Sequence, residues 1–172
     1  KFADHGRNIQ FLLDHGFSAH LNLARPRSRG SVTLLSDDPL QPPLIQLNLL
    51  KEQEDLDDMV KAIKKMREII AMPAFDGHRG KEVFPGKDVQ TDEQIGQAIR
   101  QHVAHVYHPV GTCKMGSDDL AVVDEQLKVH GIENLRVVDA SIMPTLISSN
   151  TNAPTIMIAE KAADMILSDE RN

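Results

Sequence analysis

The chain has 172 residues, the length of one compact domain, and can bury a sizeable hydrophobic core. Its 41% hydrophobic and 26% charged residues are typical of a globular protein, and no apolar run reaches the roughly 20 residues that span a bilayer. The 25 acidic and 19 basic side chains give a formal net charge of −6 without a long Lys/Arg cluster, which argues against nucleic acid as a partner.

The single cysteine, Cys113, has no partner for a disulfide within the chain. This favours a reducing compartment and a cytoplasmic location, with peripheral association with a membrane left open. The chain begins at Lys1 without a methionine or a signal-like apolar segment. We therefore expect it to be part of a longer protein.

The first third of the chain has the pattern of an antiparallel sheet. Short apolar pieces in residues 11–50 are interrupted by "RPRSRGS" and "SDDPLQPP", two stretches rich in turn-forming residues. The pieces between and after them, residues 31–35 and 44–50, are predicted strands.

The pattern changes to a helical one at residues 54–72, where apolar side chains recur every three or four positions until Pro73 ends the series. Residues 73–90 contain two prolines and three glycines and are predicted to form a loop that could line or cover a site. A second helix begins after Thr91, which forms a capping box with Gln94 three residues later. Ile95, Ala98, Ile99 and His102 are predicted to lie on one face of this helix.

The last third contains two short β-branched runs, at residues 121–124 and 135–139, followed by a final helix at about residues 153–167. Asn152 or Thr151 can cap this helix, and Pro154 suits its first turn. The overall prediction is a mixed α and β architecture with a sheet and at least three helices.

The stretch "HVYHPVGTCKMG", residues 105–116, holds two histidines, a tyrosine and the only cysteine. A zinc site formed by His102, His105, His108 and Cys113 is disfavoured, because a spacing of three and six residues drifts around a helix. A nucleophilic pair of Cys113 and His108 is chemically conceivable. However, a lone cysteine is most often a small buried apolar residue. A buried, hydrogen-bonded histidine is the default interpretation of His108 if the stretch is considered alone.

Several long stretches together point to a family. "YHPVGTCKMG" (107–116), residues 121–145 and "NTNAPTIMIAEKAADMI" (150–166) resemble the C-terminal part of the glucose–methanol–choline (GMC) oxidoreductases, flavin enzymes that oxidise alcohols. Residues 25–50 resemble the segment of the same family that follows its substrate-domain strands. The stretches occur in the expected order and cover nearly the whole chain.

The resemblance implies an α+β fold that combines parts of two domains. Residues 1–120 would form part of the substrate-binding domain, a mostly antiparallel sheet with helices. Residues 121–172 would supply the closing strand and helix of the FAD domain. The ten glycines contain no pair separated by one residue, so the Gly-x-Gly-x-x-Gly fingerprint of a dinucleotide fold is absent from the chain. An upstream FAD-binding half is therefore the expected partner, and the fragment alone is expected neither to hold FAD tightly nor to oxidise alcohols.

The resemblance also implies the catalytic residues. His108 occupies the family's base position, and an imidazole can accept the hydroxyl proton of an alcohol near neutral pH. Pro109 would restrict the backbone of His108 to an extended form. Asn152 falls on the family's second active-site position, where its amide would hold the same substrate oxygen. From the sequence alone, a cap of the last helix is an equally good role for Asn152.

The cofactor contacts are likewise implied by the resemblance. Asp139 and Ala140 match the family's contacts to the ribityl and pyrophosphate region of FAD, although an acid and a small residue are also common at a strand end. The final helix would direct its positive end towards the flavin. Its first residues, Ala153, Pro154 and Thr155, are the remaining predicted FAD contacts.

The predicted substrate is a small-molecule primary alcohol. Val110 and Gly111 stand where the choline branch of the family usually has Ser-Cys, and six aromatic residues make a cage for a quaternary ammonium harder to build. A choline dehydrogenase-like fragment nevertheless stays open as an alternative. Two other classes also stay open: a non-catalytic α/β interaction module, and a small metalloprotein that uses the eight histidines.

Overall fold

A computed structural model describes residues 15–148 and 150–169. The described chain divides into two units, each with its own hydrophobic core. The first unit contains residues 15–23 and 49–104, and the second contains residues 24–48, 105–148 and 150–169. The predicted domain division at residue 120 concerns the longer protein and stays a prediction.

Two helices form the first unit, and both were predicted. Helix α1 spans Gln53–Ile70 and helix α2 spans Asp92–His102. The apolar side chains that repeat along each helix meet in one core, because residues three and four positions apart share a helical face. The buried members of this core are Leu50, Leu56, Val60, Ile63, Ile95 and Ile99.

The ends of these helices follow from local chemistry. Helix α1 ends at Ile70, and Pro73 then opens a short 3-10 helix, Pro73–Phe75. At the start of α2, the Gln94 N–H donates to Thr91 Oγ1 at 3.2 Å, and Gln94 Oε1 accepts from the Thr91 N–H at 3.1 Å. The predicted capping box is thus confirmed. His102 is the last residue of α2 and is exposed.

The loop between the two helices is attached to α1 by a forked contact. The Arg67 guanidinium donates to Glu82 Oε1 through both Nε and Nη2, at 3.1 and 2.8 Å. It also donates to the carbonyl of Gly86 at 3.1 Å. Because both ions of this pair are only partly exposed, the contact limits the conformations that the loop can adopt.

A short antiparallel hairpin opens the second unit. Strand β1 spans Ser31–Thr33 and strand β2 spans Leu44–Gln46, paired with Val32 opposite Ile45. The second strand was predicted to extend to residue 50. It ends earlier, because Asn48 has a φ of 51°, which is not an extended conformation. Gly30 lies so close to β2 that a Cβ atom there would be 2.2 Å from the Gln46 carbonyl oxygen.

The β-branched runs at residues 121–124 and 135–139 form isolated β-bridges and no extended strand. Single bridges join Val123 to Met115 and to Val129, and a third pairs Lys128 with Arg136. The backbone turns before a ladder can extend, because Leu127, Gly131 and Asn134 all have φ between 58° and 75°. The mixture of helices with a small antiparallel sheet agrees with the predicted fold class.

Helix α3 spans Asn152–Asp169 and completes the second core. Asn152 is its first residue, so Thr151 is the capping position and the alternative, Asn152, is wrong for that role. Ile158 and Ala162 face inwards from the helix. They pack with the other buried residues of this core, Val123, Leu127, Ile142 and Met143.

The far end of α3 is held by ion pairs. Asp169 Oδ2 lies 2.6 Å from Arg136 Nη2 and 2.9 Å from Lys128 Nζ. The hydrogen bond from Lys128, followed by that from Arg136, holds the pKa of the Asp169 carboxyl below its ordinary value. None of the described helices is long and apolar enough to cross a membrane.

Candidate functional site

His108 lies beside the start of helix α3. Its Nδ1 atom is 2.9 Å from Thr151 Oγ1, and the Thr151 amide nitrogen lies 3.5 Å from the same atom. The imidazole is half-buried. The preceding residue, Tyr107, has a φ of 65°, a conformation that is uncommon for a bulky side chain and that tends to persist at functional sites.

The segment after His108 runs along the 3-10 helix Ala140–Ile142. The Cys113 N–H donates to the Ser141 carbonyl at 3.1 Å, and the Met115 N–H donates to the Ile142 carbonyl at 2.8 Å. Gly111 makes this approach possible. Its φ is 89°, and a Cβ atom there would lie 3.2 Å from the Met143 carbonyl oxygen.

Asp139 and Ala140 lie where this 3-10 helix begins. Asp139 is exposed and extended, and its Oδ1 accepts a hydrogen bond of 2.7 Å from the Ser141 N–H. Ala140 is the first residue of the 3-10 helix and is half-buried. Because Ser141 also contacts Cys113, the segments that contain His108 and Asp139 are connected through it.

The first turn of α3 presents a mixed set of polar groups. Asn152 and Ala153 are exposed, and their N–H groups belong to the first turn, which has no intrahelical acceptors. Pro154 has no N–H, and Thr155 uses both its amide and its hydroxyl on the Thr151 carbonyl, at 3.0 and 2.7 Å. The turn therefore offers a bound group the backbone N–H groups of Asn152 and Ala153 and the side-chain amide of Asn152. It also offers the positive end of the helix dipole.

These groups fit the polar and electron-accepting parts of a flavin. The exposed carboxylate of Asp139 can accept a hydrogen bond from a ribityl hydroxyl. The positive end of α3 favours negative charge on a ring system nearby. The chain contains no Gly-x-Gly-x-x-Gly turn for a pyrophosphate.

The other candidate side chains have different surroundings. His102 Nδ1 lies 3.0 Å from the Ala98 carbonyl within α2, while the His105 ring meets the Tyr107 ring edge-on. His108 Nδ1 contacts Thr151 and not Cys113, which is half-buried. In residues 15–148 and 150–169, no three His, Cys, Asp or Glu side chains are grouped to hold a metal ion.

Thr151 is the residue of this region that sequence reasoning missed, because it was considered only as a cap. A capping hydroxyl usually accepts from the N–H of the second or third helical residue. The third residue here is Pro154, which lacks that donor. The spacing of Thr151 and Pro154 was therefore the available signal that the hydroxyl has another partner.

Comparison with known proteins agrees with this arrangement of segments. The family described as GMC oxidoreductase matches residues 26–159. The oxygen-dependent choline dehydrogenase of Proteus mirabilis (strain HI4320) is 52% identical over 152 residues, or 88% of this chain and 27% of that protein. The enzyme of the same name from Escherichia coli O127:H6 (strain E2348/69 / EPEC) is 50% identical over 157 residues, or 91% of this chain and 28% of that protein.

Solved structures show the same fold. A fungal aryl-alcohol oxidase matches with a TM-score of 0.80 and 35% identity, covering 87% of this chain and 25% of that one. An FAD-dependent oxidoreductase from Chaetomium thermophilum matches with a TM-score of 0.81 and 31% identity, covering 86% and 26% of the two chains. The chain thus spans about a quarter of the length of the proteins that it matches. The matched region includes the His108 segment and the start of α3, and the chain belongs to the GMC oxidoreductase family.

Proposed function

We propose that this chain is the C-terminal part of an FAD-dependent oxidoreductase that oxidises a primary alcohol, with His108 as the base. The observation that carries the proposal is the contact between His108 and Thr151, residues 43 positions apart in the chain. This contact supports the proposal, because Thr151 immediately precedes Asn152, the other proposed catalytic residue, at the start of α3.

Each side chain has a separate task in this proposal. With its Nδ1 atom on Thr151, the imidazole can present Nε2 to the substrate and accept the hydroxyl proton there. The Asn152 amide donates a hydrogen bond to the same substrate oxygen and orients it. When bound, FAD would supply the acceptor for the hydride that leaves the alcohol carbon.

Asp139, Ala140, Ala153, Pro154 and Thr155 are the residues proposed to contact FAD. The exposed Asp139 carboxylate and the N–H groups at the start of α3 are suited to polar contacts. Ala140 and Ala153 are small enough for a ring or chain to approach the backbone closely. Pro154 fixes the backbone of the first turn, and the Thr155 oxygen retains its capacity to accept a hydrogen bond.

The proposed partner is the FAD-binding half of the same enzyme. Helix α3 is apolar on several sides, yet only Ile158 and Ala162 are buried by the described chain. Ile156 and Met157 are more than half exposed. A helix that is apolar all round is normally covered on all sides, and the relatives are long enough to contain the covering domain.

The proposed substrate is a primary alcohol, with choline as a second candidate. The choline candidate is supported by the names of relatives that are 50% to 53% identical to this chain. A primary alcohol other than choline is supported by Val110 and Gly111, which stand where the choline branch usually has Ser-Cys. Turnover of choline and of an uncharged alcohol such as benzyl alcohol by the longer enzyme would decide between the two.

The experiment that tests the base is His108→Gln in the longest natural polypeptide that contains this chain. Glutamine retains a similar size but cannot take up a proton, so FAD should stay bound while flavin reduction slows by about 100-fold. Anaerobic stopped-flow bleaching of the flavin measures this rate. The matched control is His105→Gln, which should change the rate little; an unchanged rate in His108→Gln would exclude His108 as the base.

The interaction-module alternative gives a different result. If the chain serves only as a binding module, the longer polypeptide would contain no flavin absorbance band and would oxidise no alcohol. Under the proposed function, co-expression of the chain with the upstream half gives a yellow protein, while the chain alone does not hold FAD tightly. Elemental analysis of the same preparation tests the metalloprotein alternative.

A further inference from the structure

Among the described residues, two threonines immediately precede α-helices, and their hydroxyl groups have different partners. Thr91 Oγ1 accepts a hydrogen bond from the Gln94 N–H, three residues into α2. Thr151 stands at the same position before α3, but the residue three positions on is Pro154, which has no N–H. The Thr151 hydroxyl instead lies 2.9 Å from His108 Nδ1.

The backbone of Thr151 is fixed by the helix that it precedes. Its carbonyl accepts hydrogen bonds from the Thr155 amide at 3.0 Å and from the Thr155 hydroxyl at 2.7 Å. The position of the Thr151 hydroxyl relative to His108 is therefore set by a helix end, not by a separate loop. A hydroxyl held in this way can hold an imidazole ring in one orientation.

A neutral imidazole bears its proton on one of its two nitrogens, and only the other can act as a base. If Nδ1–H donates to Thr151 Oγ1, the lone pair is on Nε2, the nitrogen on the far side of the ring from Thr151. The same hydrogen bond persists after Nε2 takes up a proton. The Thr151 amide nitrogen, at 3.5 Å, lies at the limit of a hydrogen bond and competes weakly with the hydroxyl at 2.9 Å.

We propose that Thr151 is a positioning residue for His108. The Thr151 hydroxyl oxygen accepts a hydrogen bond from Nδ1–H and so keeps the basic lone pair on Nε2. This inference rests on the proposed function for its kinetic consequence, because Nε2 matters only if His108 is a base. The protonation pattern of the ring can, however, be observed without turnover.

The experiment uses histidine-selective ¹⁵N labelling of the longest natural polypeptide that contains the chain, with its flavin bound. The His108 signals are assigned by their loss in His108→Gln. Long-range ¹H–¹⁵N spectra, recorded at a pH where histidines are neutral, show which ring nitrogen carries the proton. The expected result for the wild type is a proton on Nδ1. A proton on Nε2 would overturn the proposal, and this measurement needs no turnover.

Two variants of Thr151 extend the test. Thr151→Val keeps the shape of the side chain without the hydroxyl, so His108 should become a mixture of tautomers and flavin reduction should slow by about 10-fold. The Michaelis constant for the alcohol should change less, because the proposed role of Thr151 is to orient the imidazole and not to bind the substrate. Thr151→Ser should restore the wild-type tautomer and a rate within about 3-fold of wild type.

The matched control is Thr91→Val, which removes the capping hydroxyl of α2. The partner of this hydroxyl is the Gln94 N–H and not an imidazole. It should lower stability without changing the His108 signals or the reduction rate. If Thr151→Val leaves the His108 tautomer unchanged, the positioning role is wrong. If Thr151→Val changes the tautomer while His108→Gln reduces flavin at the wild-type rate, the positioning role stands and the proposed base is wrong.

Discussion

Replacement of Ile95 by alanine should destabilise the first unit by about 3 kcal/mol. Ile95 is fully buried in α2, among side chains from both helices. The change removes three carbons, each worth about 0.8 kcal/mol when buried. The cavity left behind adds to this loss, while the better helix propensity of alanine returns about 0.4 kcal/mol.

Hydrogen exchange measured by mass spectrometry tests this estimate locally. A loss of about 3 kcal/mol should make the α2 amides exchange roughly 100-fold faster, provided that exchange proceeds through opening of the α1–α2 pair. The matched control is Ile69→Ala in α1, where the side chain is 38% exposed and the expected loss is about 1 kcal/mol or less. Equal effects of the two changes, or a loss below 1 kcal/mol for Ile95→Ala, would refute the assignment of Ile95 to the centre of this core.

The remaining predictions concern an ion pair and two glycines. Because the folded-state pKa of Asp169 is lowered, its stabilisation of the α3 end is present above the ordinary aspartate pKa and is lost as pH falls through the lowered value. Asp169→Asn should therefore raise exchange at the end of α3 at neutral pH, and a pH series should show the difference from wild type shrinking in acid. Gly96→Ala should raise the thermal midpoint, since its Cβ would meet Leu56 Cδ2 at an ordinary 3.5 Å and alanine favours the helix by about 0.5–1 kcal/mol. Gly30→Ala should instead open the hairpin, because the Cβ would lie 2.2 Å from the Gln46 carbonyl oxygen; unchanged exchange in β2 would contradict this.

The helices were predictable because their signals lie within each segment. The three- and four-residue spacing of Leu56, Val60 and Ile63 determines which face of α1 is buried, whatever packs against it. Thr91 and Gln94 are likewise sufficient to mark the start of α2, because both partners of the capping box are local in sequence.

The β-branched run at residues 135–139 shows the opposite case, because it forms no strand. β-Branched residues favour extended backbone, but a strand also needs a neighbouring segment that stays alongside for several residues. The left-handed conformations of Leu127 and Asn134 interrupt that neighbour, and neither residue is a glycine that would have indicated them. The unusual backbone angles that interrupt this pairing could therefore not be read from the sequence.

The candidate site was predictable only through the family resemblance. Nothing in the spacing of His108 and Thr151 indicates that their side chains are in contact, because they are 43 positions apart in the chain. The contact of the Thr151 hydroxyl depends on how α3 approaches the His108 segment, which is a property of tertiary packing. The missing donor at Pro154 was visible in the sequence, but it did not identify the histidine as the new partner.

The angular position of Thr151, Ile158 and Ala162 around the axis of α3 limits where residues can be inserted or deleted near the start of this helix. Ile158 and Ala162 follow Thr151 by seven and eleven residues, so at 100° per residue all three lie within about 20° of one direction. Burial of Ile158 and Ala162 thereby fixes the side of the helix on which the Thr151 hydroxyl meets His108. A single deletion between residues 151 and 158 would turn that hydroxyl away by about 100°. Gain or loss of a residue before Thr151 leaves the helical phase intact, so we expect a change in length there to preserve the alignment of Thr151 with Ile158 and Ala162.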